Sequence, residues 1–168
     1  MIRDALCHGC TKLTLYLGGT STVCCGMGTI QALGARLFDA DGQLILHPCR
    51  GEDLLKLSRI EIPEMDISGI EVHIVADGNS KVDALPGITG LKVGKSFSKQ
   101  KEQIVEQSTA GVENVLALTG ISPEKDFTGA AGGLLFGLEQ IFPNIRYTLG
   151  GLHFNQVLGI EDKIRNND

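Results

Sequence analysis

Tryptophan is absent from the 168 residues and aromatics make up only 5% of them, which speaks against an aromatic binding face. Positive charge is also short: 15 Lys and Arg against 20 Asp and Glu give a formal net charge of −5, with a pI near 5.3. That balance lacks the basic footprint that a nucleic-acid backbone or an anionic membrane surface would need. No stretch approaches the roughly 18 consecutive apolar residues of a spanning helix, and the N-terminus lacks the basic, apolar and small-residue regions of a signal peptide. A soluble, cytoplasmic protein with neither a nucleic-acid nor a membrane partner is therefore expected. The five cysteines, an odd number in a chain without a secretory signal, read as reduced thiols rather than as a disulfide framework.

What the chain has in quantity is glycine, 22 residues, which points to close backbone turns. With 42% hydrophobic and 21% charged residues it carries enough apolar surface to offset the entropy of ordering, so it should fold. Its length suits one domain or a large part of a two-domain enzyme.

Leu13, Leu15 and Leu17 alternate with Lys12, Thr14 and Tyr16 and empty into Gly18-Gly19, the pattern of a strand ending on a glycine turn. A short helix over Ile2 to His8 precedes it, and a helix from Gly26 to Leu33, ended by Gly34, follows. Arg36 to Phe38 and Gln43 to Leu46 flank Asp39-Ala40-Asp41-Gly42 and predict a hairpin. Beyond a helical turn at Asp53 to Leu57, the run from Glu71 to Ala76 reads as a second strand ending on Asp77-Gly78-Asn79. The stretch from Val82 to Ser98, interrupted by Pro86 and three glycines, reads as a loop. An amphipathic helix over Lys99 to Leu118 ends at Gly120, with Gly111 weakening its middle. Gly129-Ala130-Ala131-Gly132-Gly133 then opens an apolar helix that Pro143 stops, and a short strand and final helix fill Ile145 to Ile164. Strands alternate with helices, so the fold class is α/β.

Several of these residues can serve anion chemistry. Gly18, Gly19, Thr20 and Ser21, between a strand and a helix, can present N–H groups and hydroxyls to a phosphate, aided by the helix start; a plain strand-to-helix turn is the alternative. Gly129, Gly132 and Gly133 allow close approach of a phosphate or, equally, of another backbone. Asp77 lies at the C-terminal end of a strand, where an open α/β sheet places ligand contacts, and its carboxylate can bind Mg²⁺ or simply form a turn. Lys99 and Lys101 can meet phosphate as point charges or face solvent. Cys7-His8-Gly9-Cys10, Cys24-Cys25 and His47 or Cys49 supply enough soft ligands for a zinc site, a separate reading set against small buried thiols.

The segments I-R-D-A-L-C-H-G-C, G-G-T-S-T and Q-A-L-G-A-R-L-F-D-A-D-G resemble, in order, one region of type I glycerate kinases. Further along, M-D-I-S-G, I-V-A-D-G-N, F-S-K-Q-K-E and T-G-A-A-G-G-L-L-F-G-L resemble later motifs of the same family. The resemblance implies a single α/β unit over 1–168, part of the two-domain architecture of that family and corresponding to its middle, with the family's N- and C-terminal segments absent. It implies ATP and Mg²⁺ as cofactors and glycerate as substrate, with Asp77, Asn79 and the two glycine segments as site residues. The chain departs from the family where Val23, Cys24 and Cys25 replace Asn, Asp and Gly, and where Ser98 and Lys99 replace Gly-Pro. These departures point to impaired activity, or to a non-catalytic scaffold that binds a partner. Missing sheet neighbours would also expose strand edges and favour self-association.

Overall fold

The structure is a computed structural model that describes residues 1–20, 22–82 and 99–166. In chain order it contains α1 (Ile2–Cys7), β1 (Lys12–Leu17), α2 (Met27–Ala32), β2 (Arg36–Asp39), a 3-10 turn (Gly51–Lys56), β3 (Leu57–Glu61) and β4 (Glu71–Ala76). There follow α3 (Lys99–Thr119), α4 (Ala130–Glu139), β5 (Ile145–Leu149), α5 (Gly150–Leu158) and α6 (Ile160–Arg165). The α/β class expected from the alternation is the one observed. Apart from Val82, the loop expected up to Ser98 lies outside the described residues. No helix among the described residues is long and apolar enough to cross a membrane.

The organising element is a parallel sheet of three strands in the order β1-β4-β5. Its register aligns Leu13 with Val72, Leu15 with Ile74 and Leu17 with Ala76, and then Val72 with Ile145 and Ile74 with Tyr147. Side chains alternate between faces, so this register gathers the apolar residues of all three strands on one side. On that side Val72, Ile74 and Ala76 are buried, each side chain of this size worth about 1.5–3 kcal/mol for Val and Ile. Leu135, Phe136 and Leu138 of α4, with Met27 and Ile30 of α2, complete the same core. Helices α2 and α4 cross backbone to backbone at two glycines: a Cβ on Gly137 would lie 2.7 Å from the Cα of Gly26.

Strands β2 and β3 form a second, antiparallel pair, in which Arg36 and Glu61 are joined by a 3.1 Å ion pair. The hairpin expected around Asp41-Gly42 forms, but it is short. Asp39 Oδ1 accepts the N–H groups of Asp41 and Gln43, the Asp39 N–H donates to the Gln43 carbonyl (2.9 Å) and the Ile45 N–H to the Leu37 carbonyl (2.8 Å), with one bridge, Phe38 to Leu44, before the returning chain leaves. Gln31 of α2 draws it away: its Nε2 donates to the carbonyls of Ile45 (2.7 Å) and His47 (3.0 Å), and its Oε1 accepts the N–H of Cys49 (2.8 Å). Along its other edge β2 pairs with β3, a strand the sequence did not reveal. The single helix expected at the C-terminus is two, broken at Gly159 with φ +58.

Helix α3 buries Val112 and Val115 against the 3-10 turn and β3. Gly111, a weak residue by helix propensity, is the point of closest approach: a Cβ there would lie 3.0 Å from the Leu54 Cβ. Asn114 Nδ2 reinforces the contact by donating to the carbonyls of Leu54 (2.8 Å) and Leu57 (2.7 Å).

The 3-10 turn is held at its start by Asp53, a largely buried carboxylate whose Oδ2 accepts the Arg50 N–H at 2.9 Å and lies 3.0 Å from His47 Nε2. Burial acts to raise its pKa, but the Arg50 N–H and the His47 contact outweigh burial and hold the carboxyl below its usual range. A depressed carboxyl stabilises the fold above its unfolded pKa, about 3.9, and that contribution is lost as pH falls through the folded value. Asp53→Asn is therefore expected to cost about 1 kcal/mol at neutral pH, with the gap to wild type closing below about pH 4 in denaturant titrations.

Candidate functional site

The C-terminal ends of β1 and β4 lie side by side, and the chain leaves both through short polar loops. The Asp77 N–H extends the ladder by donating to the Leu17 carbonyl at 3.0 Å. Its side chain then turns back over the end of β1, where Oδ2 accepts the Gly19 N–H at 3.2 Å. This closure requires Gly18, because a Cβ at that position would lie 2.6 Å from Asp77 Oδ2.

The opposite wall comes from the start of α4. Ala131, Gly132 and Gly133 have φ values of +52, +71 and +86, a left-handed turn that precedes the right-handed helix. A Cβ on Gly132 would overlap the Thr22 carbonyl oxygen, and one on Gly129 would overlap the Lys81 carbonyl. The Cys25 N–H donates to the Gly132 carbonyl at 3.2 Å, and the Gly129 N–H to the Ser80 carbonyl at 2.9 Å. Between the walls lies a cavity of about 150 Å³, lined by Gly19, Thr20, Thr22, Val23, Asp77, Ser80 and residues 129–132. It is smaller than the roughly 300–1,000 Å³ of a pocket that encloses a drug-sized ligand, and it suits one phosphate-sized group.

Four sequence-nominated residues besides Asp77 thus come together here: Gly19, Thr20, Gly129 and Gly132. Gly18 sits beneath the Asp77 carboxylate, and Gly133 is buried behind the wall with its N–H directed to the Gly129 carbonyl at 3.3 Å. Asn79 is absent from the lining; its Oδ1 accepts the Phe127 N–H at 3.1 Å and so ties the loop after β4 to the approach of α4. Ser21 and the side chains of Lys99 and Lys101 lie outside the described residues. The helix expected from Gly26 begins at Met27 with Gly26 as its cap, after a loop that packs on Gly132. Sequence reading missed Thr22, Ser80 and the buried Thr128. Thr128 Oγ1 accepts the Val82 N–H at 3.1 Å and donates to the Lys125 carbonyl at 2.6 Å, pinning the wall from behind. Their small hydroxyl side chains carry no distinctive pattern; adjacency to Asp77 and to the glycine run was the available signal.

Among the described residues Asp77 is the only charged one in the lining, joined by Thr20, Thr22 and Ser80. A carboxylate repels an anion, so a phosphate set beside Asp77 calls for a cation between them. One carboxylate plus phosphate oxygens is a donor set that fits Mg²⁺, which keeps much of its shell from water and substrate. The zinc alternative finds no cage: among the described residues no three His, Cys, Asp or Glu side chains are grouped to hold a metal. Cys25 and Cys49 are buried, and burial pushes both thiols up to about 12, which keeps them protonated.

Cys25 occupies one of the three positions at which the resemblance marks a departure, the family having Gly there. Its φ of +50 is on the left-handed side that glycine tolerates and a side chain does not. Cys25→Gly is accordingly expected to be more stable than Cys25→Ala by about 1 kcal/mol in denaturant unfolding, the reverse of the order at an ordinary φ.

The glycerate kinase family profile matches residues 1–168. Among curated proteins, a glycerate kinase of Halalkalibacterium halodurans is 25% identical over 94% of this chain and 44% of its own length. A glycerate kinase of Bacillus subtilis is 28% identical over 82% of this chain and 37% of its own. A crystal structure described as glycerate kinase 2 of Salmonella typhimurium LT2 superposes with a TM-score of 0.75 at 24% identity, covering 96% of this chain and 44% of that one, a likeness of fold. The chain therefore spans less than half the length of these relatives. With the profile matched from end to end, the chain belongs to the glycerate kinase family.

Proposed function

We propose that this chain supplies the phosphate-binding wall of a kinase cleft for ATP-dependent phosphorylation of glycerate, and that alone it binds Mg-ATP but turns glycerate over poorly. One observation carries this reading. Two glycine segments more than a hundred residues apart converge with the Asp77 carboxylate at the C-terminal edge of a parallel sheet, where open α/β folds place their ligands.

Phosphoryl transfer is largely a matter of holding the phosphate in line and offsetting its charge. In this reading the backbone of residues 131 and 132 and the Thr20 and Thr22 hydroxyls orient one phosphate group, while Asp77, steadied by the Gly19 N–H, holds the cation that accompanies it. Mg²⁺, when bound with the nucleotide, supplies charge neutralisation. The cavity accommodates one phosphate and leaves the rest of a nucleotide and the glycerate outside it. A non-catalytic scaffold is the second reading, favoured by Val23: it lines the cavity with an apolar side chain where the family carries Asn.

Calorimetry with Mg-ATP is expected to show saturable binding that Asp77→Asn weakens about tenfold, a loss of about 1.4 kcal/mol. ADP release coupled to glycerate is expected to stay near background with a sample shown to be folded. Absence of nucleotide binding would overturn the phosphate wall, whereas vigorous Mg²⁺-dependent turnover would overturn the claim that this chain is insufficient by itself.

A further inference from the structure

We propose that the outer edge of β1 is a self-association surface, on which a second copy of this chain adds its own β1 antiparallel and joins the two sheets into one. Among the described residues no strand pairs with that edge. The backbone directions follow from the ladder: Thr11 O accepts the Glu71 N–H at 2.8 Å and Leu17 O accepts the Asp77 N–H at 3.0 Å. Direction alternates along a strand, so Leu13, Leu15 and Leu17 address β4, while Lys12, Thr14 and Tyr16 turn their N–H and C=O groups outward.

The edge is also open on its core side. Leu15 and Leu17 are only half-buried, although their β4 neighbours Ile74 and Ala76 on the same face are fully enclosed. A cavity of about 640 Å³ runs along this flank, walled by Ile2, Leu15, Leu17, Ala32, Leu33 and Leu134 among others. On the opposite face Tyr16 is 60% exposed and stacks on the half-exposed Phe154 of α5. Edge strands of proteins that stay apart are usually protected by charges, proline or a bulge. K-L-T-L-Y-L has a single charge, at its first residue, no proline, and an unbroken register with β4.

The occupant is a second copy because the edge is complementary to itself. Placing Thr14 on a two-fold axis pairs Thr14 with its mate and Lys12 with Tyr16 of the other copy, so all three outward residues find hydrogen-bonding partners. Even pairing keeps faces matched, so Leu13 of one copy meets Leu15 of the other beside the apolar cavity. It also sets the ammonium of Lys12 next to an aromatic ring and keeps the two lysines from facing one another.

Light scattering on eluted protein across a concentration series is expected to give a mass rising from 17.9 kDa to twice that value. Thr14→Pro removes an outward N–H that β4 does not use, so it is expected to yield a monomer with an unchanged circular dichroism spectrum. Tyr16→Lys opposes Lys12 of the other copy and is expected to weaken the dimer more at low salt than at high salt, which keeps the test intact should the proline variant misfold. A wild-type chain that stays monomeric throughout, leaving the edge to a further segment of a family-length polypeptide, would overturn the proposal. So would a dimer that both variants leave unchanged.

Discussion

The contact between the Thr22 carbonyl and the Cα of Gly132 is the constraint on which the cleft depends. No side chain fits between the two backbones, so the loop after β1 can lie against the start of α4 only if residue 132 is glycine. The same loop is gripped twice more: Gly26 rests on Gly137, and a Cβ on Gly51 would lie 2.6 Å from the Val23 carbonyl. Glycine raises the entropy lost on folding, by about 0.5–1 kcal/mol relative to alanine in regular elements. That cost is offset because the three contacts draw α2, α4 and the 3-10 turn around one loop and bury Cys25, Met27, Phe136 and Leu138 beneath it. Thr20, Thr22 and Val23 are thereby held opposite Asp77 and residues 129–132.

Where the signal was side-chain period, the sequence disclosed the structure well. Alternation in Leu13 to Leu17 and in Glu71 to Ala76 marks the two strands that frame the cleft, and the apolar stripe through Val112 and Val115 marks α3 to within a residue of its end at Thr119. Where a distant side chain decided the outcome, local pattern failed. Asp41-Gly42 does make its turn, and the Ile45 N–H still reaches the Leu37 carbonyl, but Gln31 takes the Ile45 and His47 carbonyls and the Cys49 N–H, so the returning strand ends there. Strand β3 was hidden because L-S-R-I-E has two apolar residues three apart, which is no period-two signal, and its pairing with β2 supplies the order.

The candidate site divides along the same line. Gly19, Thr20, Asp77, Gly129 and Gly132 were legible because glycine beside a strand end has few uses, and the structure brings them to one cavity. Asn79 lies outside that lining, because its amide serves equally well as a loop clasp, the role it takes on the Phe127 N–H. Thr22, Ser80 and Thr128 escaped notice since nothing in their composition separates a cleft hydroxyl from a surface one. The fold of the family is thus present, while residues 23–25 bring an apolar residue, Val23, to the lining and a buried thiol, Cys25, with a left-handed φ behind it.

The central claim is that backbone overlap at residue 132, and not merely its left-handed φ, holds the cleft together. Gly120 supplies the control, since its φ of +68 matches the +71 of Gly132 while, among the described residues, no atom beyond its chain neighbours lies within 4 Å of its missing Cβ. Denaturant unfolding of Gly120→Ala and Gly132→Ala separates the two effects. The account predicts a loss of about 1–2 kcal/mol for the first, from backbone strain alone, and more than about 3 kcal/mol for the second. Equal losses in the two variants would contradict it.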